Sequence, residues 1–312
     1  MKKISVGVDF GGTNIKMGLV DGSGRMIDRS HLVTKSFARN KKKLINALVD
    51  SILDLLEQNH LNKKDVLGIG LGLPGLVDPV KGIVNFLPNV PGWHNVPLKN
   101  LIQKRTKILT FLDNDVNLVT LGEWKYGAGK GYRNLVCMTL GTGIGGGLIL
   151  NGALYRGEGF AAGEIGHMPI NEKGPGCPCG GYGCFERYVG NQQLLDKGRK
   201  IFKNKNFQLE DIFDLANQGN VRAVQFWRET ATHVGNGLIG IVNLLNPQLI
   251  IIGGGVSNNF KFLRKTITRI IDQRAMKVQA KIVKVVKSKL GDDAGILGGQ
   301  VLVKDSTIGR KN

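Results

Sequence analysis

Leu135-Val136-Cys137-Met138-Thr139-Leu140-Gly141-Thr142-Gly143-Ile144-Gly145-Gly146-Gly147-Leu148-Ile149-Leu150 decides how the rest of the chain is read. An apolar run of strand length stops at Gly141-Thr142-Gly143 and a second apolar run follows, so the stretch reads as strand, glycine turn, strand. Residues 4–20 repeat the design: Ile4–Phe10, then Gly11-Gly12-Thr13-Asn14-Ile15-Lys16, then apolar residues through Val20. Such a turn between strands lets backbone N–H groups close on an anion. Asp9, at the end of the first strand, could hold Mg²⁺ through water, and Thr13 could donate to a phosphate oxygen. Neither turn has the G-x-x-x-x-G-K-[ST] pattern of a Walker A loop. One glycine turn between strands is commonplace. Two copies imply a duplicated α/β architecture, with phosphates held between the copies.

Between the copies, Asp21-Gly22 signals a hairpin turn, and residues 40–58 read as an amphipathic helix capped by Asn40, with Leu44, Ile45, Leu48, Ile52, Leu55 and Leu56 on one face. Val66–Gly72 is a buried strand ending in Leu73-Pro74-Gly75, followed by a loop containing Pro88-Asn89-Val90-Pro91. Loops at strand ends in α/β folds are where ligands bind, so Asn89 reads equally as a hydroxyl-recognition residue and as a residue serving the turn. Ile108–Leu112 is a further strand, ending in Asp113-Asn114-Asp115-Val116-Asn117 and then a helix. Polar residues at such a junction are costly to bury unless they bind something, which makes Asn114 and Asp115 candidates, with Asp113 or Asn117 as the helix cap. The first domain is expected to give way to the second here. Downstream, 191–245 reads as helical up to Pro247, and Leu249–Ile252 as a buried strand ending in Gly253-Gly254-Gly255-Val256. A helix at 260–275, a strand at 281–286, and Gly291-Asp292-Asp293 opening a small-residue helix through Val303 complete the pattern, with a frayed terminus from Ser306.

A separate module stands between these parts. Glu164-Ile165-Gly166-His167 is followed by Cys177-Pro178-Cys179-Gly180-Gly181-Tyr182-Gly183-Cys184-Phe185-Glu186, placing three cysteines and one histidine within eighteen residues. Three thiolates and an imidazole are the ligand set of a closed tetrahedral zinc site. Without secretory features, clustered cysteines with a histidine favour zinc over disulfides. Glu164 and Glu186 flank the ligand set, so the metal would hold two carboxylates close together while doing no chemistry itself. Cys137 lies in an apolar run and reads as an ordinary buried thiol.

Composition bounds the alternatives. A chain of 312 residues suggests about two domains. No apolar run approaches the roughly 18 residues of a membrane span, and the expected compartment is the cytoplasm. The net charge of +19 is unusual, and between Lys261 and Lys289 there are ten Lys or Arg against one Asp. Such a balance suits polyanions, but no aromatic residues interleave the charges as a single-strand binder requires, so a solvated basic face is the preferred reading and nucleic acid is disfavoured.

Taken together, these motifs resemble the ROK family of bacterial sugar kinases and repressors, from Val8 to about Leu302. Asp9–Lys16 resembles the family's first phosphate motif, Leu140–Gly147 the second, Gly253–Val256 its adenosine motif, and 164–186 its E-x-G-H and zinc signature. The resemblance implies an α/β fold of two ribonuclease-H-like domains of the actin-like ATPase type around a cleft, with a zinc-binding loop module. A small domain would span 1–114, with a C-terminal helix at about 295–312 packing back on it. A large domain would span 115–294. It further implies an ATP-dependent hexose kinase using Mg²⁺ and structural Zn²⁺, with glucose the first acceptor and N-acetylhexosamines or fructose the alternatives. Asp115 would be the catalytic base, and Gly75, Asn89, Asn114, Glu164, His167 and Glu186 would bind the sugar. Asp9, Gly11, Gly12, Thr13, Lys16, Gly141, Thr142 and Gly143 would serve the phosphates, and Gly253, Gly254, Gly255 and Val256 the adenosine. His167, Cys177, Cys179 and Cys184 would hold zinc. A homodimer is expected. A sugar-responsive repressor is the distant alternative, disfavoured by the short stretch ahead of Ile4. A structural or chaperone ATPase would have no need of zinc-held glutamates.

Overall fold

A computed structural model describes residues 3–12, 14–33, 37, 40–87 and 92–308 of the chain. Its strands and helices run β1 (Ile4–Phe10), β2 (Asn14–Val20), β3 (Met26–Val33), α1 (Lys41–Gln58), β4 (Val66–Leu73), β5 (Leu76–Asp78), β6 (Ile83–Phe86), β7 (His94–Val96), α2 (Leu98–Thr106), β8 (Thr110–Asn114) and α3 (Asp115–Lys125). There follow β9 (Leu135–Leu140), β10 (Ile144–Leu150), β11 (Ala153–Tyr155), α4 (Glu186–Val189), α5 (Asn191–Phe202), α6 (Leu209–Asn217), α7 (Val221–Leu245), β12 (Leu249–Gly253), α8 (Phe260–Arg274), α9 (Lys277–Ile282), β13 (Lys284–Lys287) and α10 (Ala294–Ile308). Contacts divide the chain into two compact units: residues up to Gly131 with 154–162 and those from Lys289 onward, and Tyr132–Ala153 with Gly163–Ser288.

The first unit is built on a mixed sheet of order β3-β2-β1-β4-β8, in which β1–β2 and β2–β3 are antiparallel and β1–β4 and β4–β8 parallel. Its strands β1, β2, β4 and β8 are largely apolar and buried on both faces, while β3 at the edge alternates half-buried and exposed residues. On one face α1 lays Leu44, Leu48, Ile52 and Leu55 onto Val6, Val8, Ile69 and Leu71. The other face receives α10 closely, because a Cβ at Gly7 or Gly70 would lie 2.0 or 2.1 Å from the carbonyl oxygens of Ile296 and Gly299. A side chain at either strand position would push the helix off the sheet. Helix α3 belongs to this unit, so the division falls at 131 rather than 114. Gly122 of α3 lies so near α10 that a Cβ would come 2.2 Å from the Ala294 carbonyl oxygen.

The second unit repeats the plan. Its sheet has the order β11-β10-β9-β12-β13, with β9–β10 antiparallel and β9–β12 and β12–β13 parallel. Read across the sheets, β9, β10, β11, β12 and β13 take the places of β1, β2, β3, β4 and β8. The duplication legible in two glycine turns thus extends to whole sheets. The strand expected at 281–286 is a correction: 277–282 forms α9 and only 284–287 is strand. Of the frayed end expected over 306–312, residues 306–308 instead continue α10 to Ile308, and 309–312 lie outside the described residues. Among the described residues, no helix is long and apolar enough to cross a membrane.

Candidate functional site

In the first unit, Asp9 ends β1 and Gly11 closes the turn after it, donating its N–H to the Asn14 carbonyl at 3.0 Å. Thr13 lies outside the described residues. The Asp9 carboxyl is pushed up to about 7, by burial first, then by the Asp115 and Asp292 charges, with Lys16 opposing. The first turn of α10 adds to the crowding, for a Cβ at Gly295 would lie 2.7 Å from the Asp9 carboxyl carbon. Carboxylates forced together in this way favour a proton or a cation. Lys16 meets Asp292 at 2.8 Å in an exposed pair, so its ammonium rests on the loop before α10.

The β8–α3 junction is held from three sides. Asp113 is buried, and its Oδ2 accepts from Arg156 Nε at 2.8 Å and meets the Arg156 NH2 group at 2.6 Å. Its Oδ1 accepts from the Asn117 amide and the Asn114 N–H, both at 2.8 Å. Asn114, rather than Asp113 or Asn117, is the N-cap of α3: its Oδ1 accepts from Val116 N at 2.9 Å and Asn117 N at 3.3 Å. That is a correction with a plain cause, since the other two side chains are committed to each other. The Asn114 amide also donates to the Gly75 carbonyl at 3.3 Å, joining the end of β8 to the loop after β4. Asp115 is therefore fixed as the first residue of α3, and Gly72 lies beneath it, where a Cβ would be 3.1 Å from the Asp115 Cα. Asn89 lies outside the described residues. Sequence reasoning missed Arg156, 43 residues from its partner with no local signal. It also missed Glu123, buried in α3 and accepting from the N–H groups of Ala128, Lys289 and Leu290, each at 2.8 Å.

In the second unit, the donor atoms of His167, Cys177, Cys179 and Cys184 lie within 4.8 Å of one another. His167 Nδ1 is 3.7 Å from Cys177 Sγ, and Cys179 Sγ is 3.6 Å from Cys184 Sγ. Tetrahedral Zn–S bonds of about 2.3 Å put sulfurs about 3.8 Å apart, whereas a disulfide needs about 2.05 Å, so the cluster fits zinc and not a bridge. The chain is shaped for it: Cys177 N donates to Gly181 O at 2.8 Å, Gly180 N to Cys177 O at 2.9 Å, and Pro169 bridges Cys184. As bare thiols the set is unequal. Backbone donation from Gly181, with hydrogen bonds from Cys177 and Cys184, lowers Cys179 to about 7. Burial and the neighbouring sulfurs push Cys184 up to about 12. With Nδ1 on the metal side, Nε2 of His167 is the nitrogen left to address a ligand.

The acidic flanks of the module differ. Glu164 is exposed. Glu186 Oε2 accepts the Ile144 N–H at 3.0 Å, and a Cβ at Gly143 would lie 2.2 Å from that oxygen. Beside this turn stands the other glycine turn of the unit. Gly253 pairs with Thr139, Gly254 has φ 80°, and a Cβ there would meet the Leu140 carbonyl oxygen at 2.3 Å. Gly141–Gly143 and Gly253–Val256 thus share the carboxyl ends of adjacent parallel strands, where open α/β sheets bind ligands. An open trough of about 740 Å³ lined by Lys261, Arg264, Lys265 and Arg269 of α8 contains none of the residues expected in the site.

Two sheets of one design, each ending in a glycine turn, with a Cys₃His cluster in the second, define an α/β protein of duplicated plan. The chain belongs to the ROK family, whose model matches residues 5–306. It is 35% identical to the glucokinase of Halalkalibacterium halodurans over 314 residues, covering 96% of this chain and 94% of that one. It is 32% identical to the xylose repressor of Bacillus spizizenii over 300 residues, covering 96% of this chain and 76% of the repressor. The ROK family glucokinase from Streptomyces griseus, solved in complex with glucose and AMPPNP, superposes with a TM-score of 0.82 at 30% identity, covering 97% of this chain and 99% of that one.

Proposed function

We infer that the chain is an ATP-dependent hexose kinase, with glucose as its first acceptor and Asp115 as general base. The observation that carries the reading is the β8–α3 junction, where the Asn114 cap and the Asp113–Arg156 pair fix Asp115 at a helix start, its charge felt by Asp9. The whole-length likeness to glucokinases supports the substrate class. The matched strand orders support reading the sheets as the two ribonuclease-H-like halves of an actin-like ATPase.

A sugar hydroxyl is a weak nucleophile at neutral pH. In this proposal Asp115 accepts its proton as the bond to the γ-phosphorus forms and the bond from that phosphorus to the bridging oxygen breaks, releasing ADP. The rest of phosphoryl transfer is positioning and neutralisation of charge. Gly11, Gly12, Thr13, Lys16, Gly141, Thr142 and Gly143 serve the phosphates of ATP, and Gly253–Val256 the adenosine. Asn114, Gly75, Asn89, Glu164, His167 and Glu186 orient the sugar. Asp9 would hold Mg²⁺, which when bound supplies countercharge to the phosphates, and its raised carboxyl among other acids suits a hard cation. Zinc on His167, Cys177, Cys179 and Cys184 would fix the imidazole tautomer and the spacing of the two glutamates. The homodimer expected from the resemblance is tested by light scattering.

The test is an ATP-to-ADP coupled assay over a hexose panel, with zinc measured on the same sample. Turnover with a hexose and about one zinc per chain is the expected result. Sugar binding without turnover by any hexose would overturn the kinase reading in favour of a regulator.

A further inference from the structure

We propose that Glu186 is a positioning residue for the phosphate turn of the second unit, through which the zinc-held module sets the geometry of Gly141-Thr142-Gly143. The proposal rests on the kinase reading for the identity of the ligand. The module's two arms converge on one residue, Ile144, the first of β10 after the turn. From one arm, Glu186 Oε2 accepts the Ile144 N–H at 3.0 Å. From the other, Gly166 packs against the same residue, where a Cβ would be 2.4 Å from the Ile144 carbonyl oxygen. Just past Glu186, the Asn191 N–H donates to the Gly141 carbonyl at 2.9 Å. The entry and the exit of the turn are thus tied to the first residues of α5 and α4.

The position of Glu186 is itself imposed. Cys184, two residues earlier, belongs to the Cys₃His cluster and bridges Pro169. Phe185 is fully buried, its N–H donates to Met168 O at 2.8 Å, and its ring occupies the space beside Gly237 of α7, where a Cβ would lie 2.6 Å away. A side chain anchored this firmly on a backbone N–H fixes the peptide that receives it. The absence of a Cβ at Gly143 is part of the fit, since a methyl there would occupy the carboxylate's place. One carboxylate oxygen serves Ile144, and Oε1 is the one a sugar hydroxyl would meet. The two substrates are therefore addressed by one side chain.

The experiment measures affinity for a non-hydrolysable ATP analogue without sugar, together with hydrogen exchange at the Ile144 amide, in the zinc-replete chain, Glu186→Ala and Glu186→Gln. Losing a hydrogen bond to a charged acceptor should weaken Glu186→Ala for the analogue about tenfold and speed Ile144 exchange at least as much. Glu186→Gln keeps an oxygen that can accept from Ile144, so it should stay within about threefold for the analogue while losing affinity for sugar. Chelating zinc from the wild-type chain should also remove protection at Ile144. Wild-type affinity in Glu186→Ala with Ile144 still protected would overturn the proposal. If Glu186→Ala does not fold with full zinc, Gly143→Ala displaces the carboxylate with the glutamate intact and must show the same loss of Ile144 protection. A wild-type chain that binds no ATP analogue would defeat the kinase reading instead, and Ile144 exchange alone would then decide the positioning role.

Discussion

Asp9 and Asp115 are neighbouring acids with different tasks, and each can be tested by removing its charge. Asp115 stands at the start of α3 as the proposed base. Asp115→Asn keeps the shape and removes proton acceptance, so kcat should fall by about 10²–10⁴ while glucose binding, read by calorimetry, survives. A variant with near wild-type kcat would refute the assignment. Asp9 has its carboxyl raised from 3.8 to about 7. A raised acid binds its proton more tightly in the folded chain, so the fold loses stability as pH rises from about 4 to 7, and the full cost stands above pH 7. At about 1.4 kcal/mol per pH unit the cost is about 2 kcal/mol at pH 5.5 and about 4 kcal/mol at pH 8. Asp9→Asn should therefore raise the melting temperature of the metal- and nucleotide-free protein, more at pH 8 than at pH 5.5, while depressing turnover. Equal shifts at the two pH values would show that Asp9 is not strained in this way. The acids themselves were legible as polar residues at strand ends. Which side chain caps α3 was not, because four of the five residues from Asp113 to Asn117 are cap formers and the choice was made by Arg156, far away in sequence.

At the scale of elements, α3 and α10 form a pair whose packing was half readable. The small-residue character of α10 was legible, but the tie that orders the chain entering it was not. Glu123, fully buried, gathers three backbone N–H groups, two of them at Lys289 and Leu290 just ahead of α10. Glu123→Ala would strand those donors and should cost about 3–5 kcal/mol, read by urea unfolding. A loss below about 1 kcal/mol would mean that water replaces the carboxylate without penalty. The zinc module could be read in sequence because its residue types have few other uses at that spacing, and the glycine turns because they come in two copies. By contrast, Lys277–Ile282 is too short for its period to separate helix from strand, so α9 was absorbed into a predicted strand. The anchor from Glu186 to Ile144 was equally hidden, for it joins a side chain to a backbone N–H 42 residues away.

For the molecule as a whole, the remaining feature is a net charge of +19. The α8 trough gathers Lys261, Arg264, Lys265 and Arg269 against Asp272, and among the described residues none of these is held in an ion pair. It includes no residue of the proposed site, so an effect on an anionic nucleotide would act through the long-range field, which raises encounter rates and is screened by salt. Lys261→Glu, Arg264→Glu and Lys265→Glu together change the charge by 3 × 2, from +19 to +13. None of these three side chains belongs to the proposed site, so kcat should remain within about twofold. The KM for ATP should rise a few-fold at low ionic strength and converge with the wild-type value near 0.5 M salt, where the field is screened. A kcat that collapsed at every salt concentration would instead place α8 within the catalytic apparatus, a role the geometry of the trough gives no reason to assign.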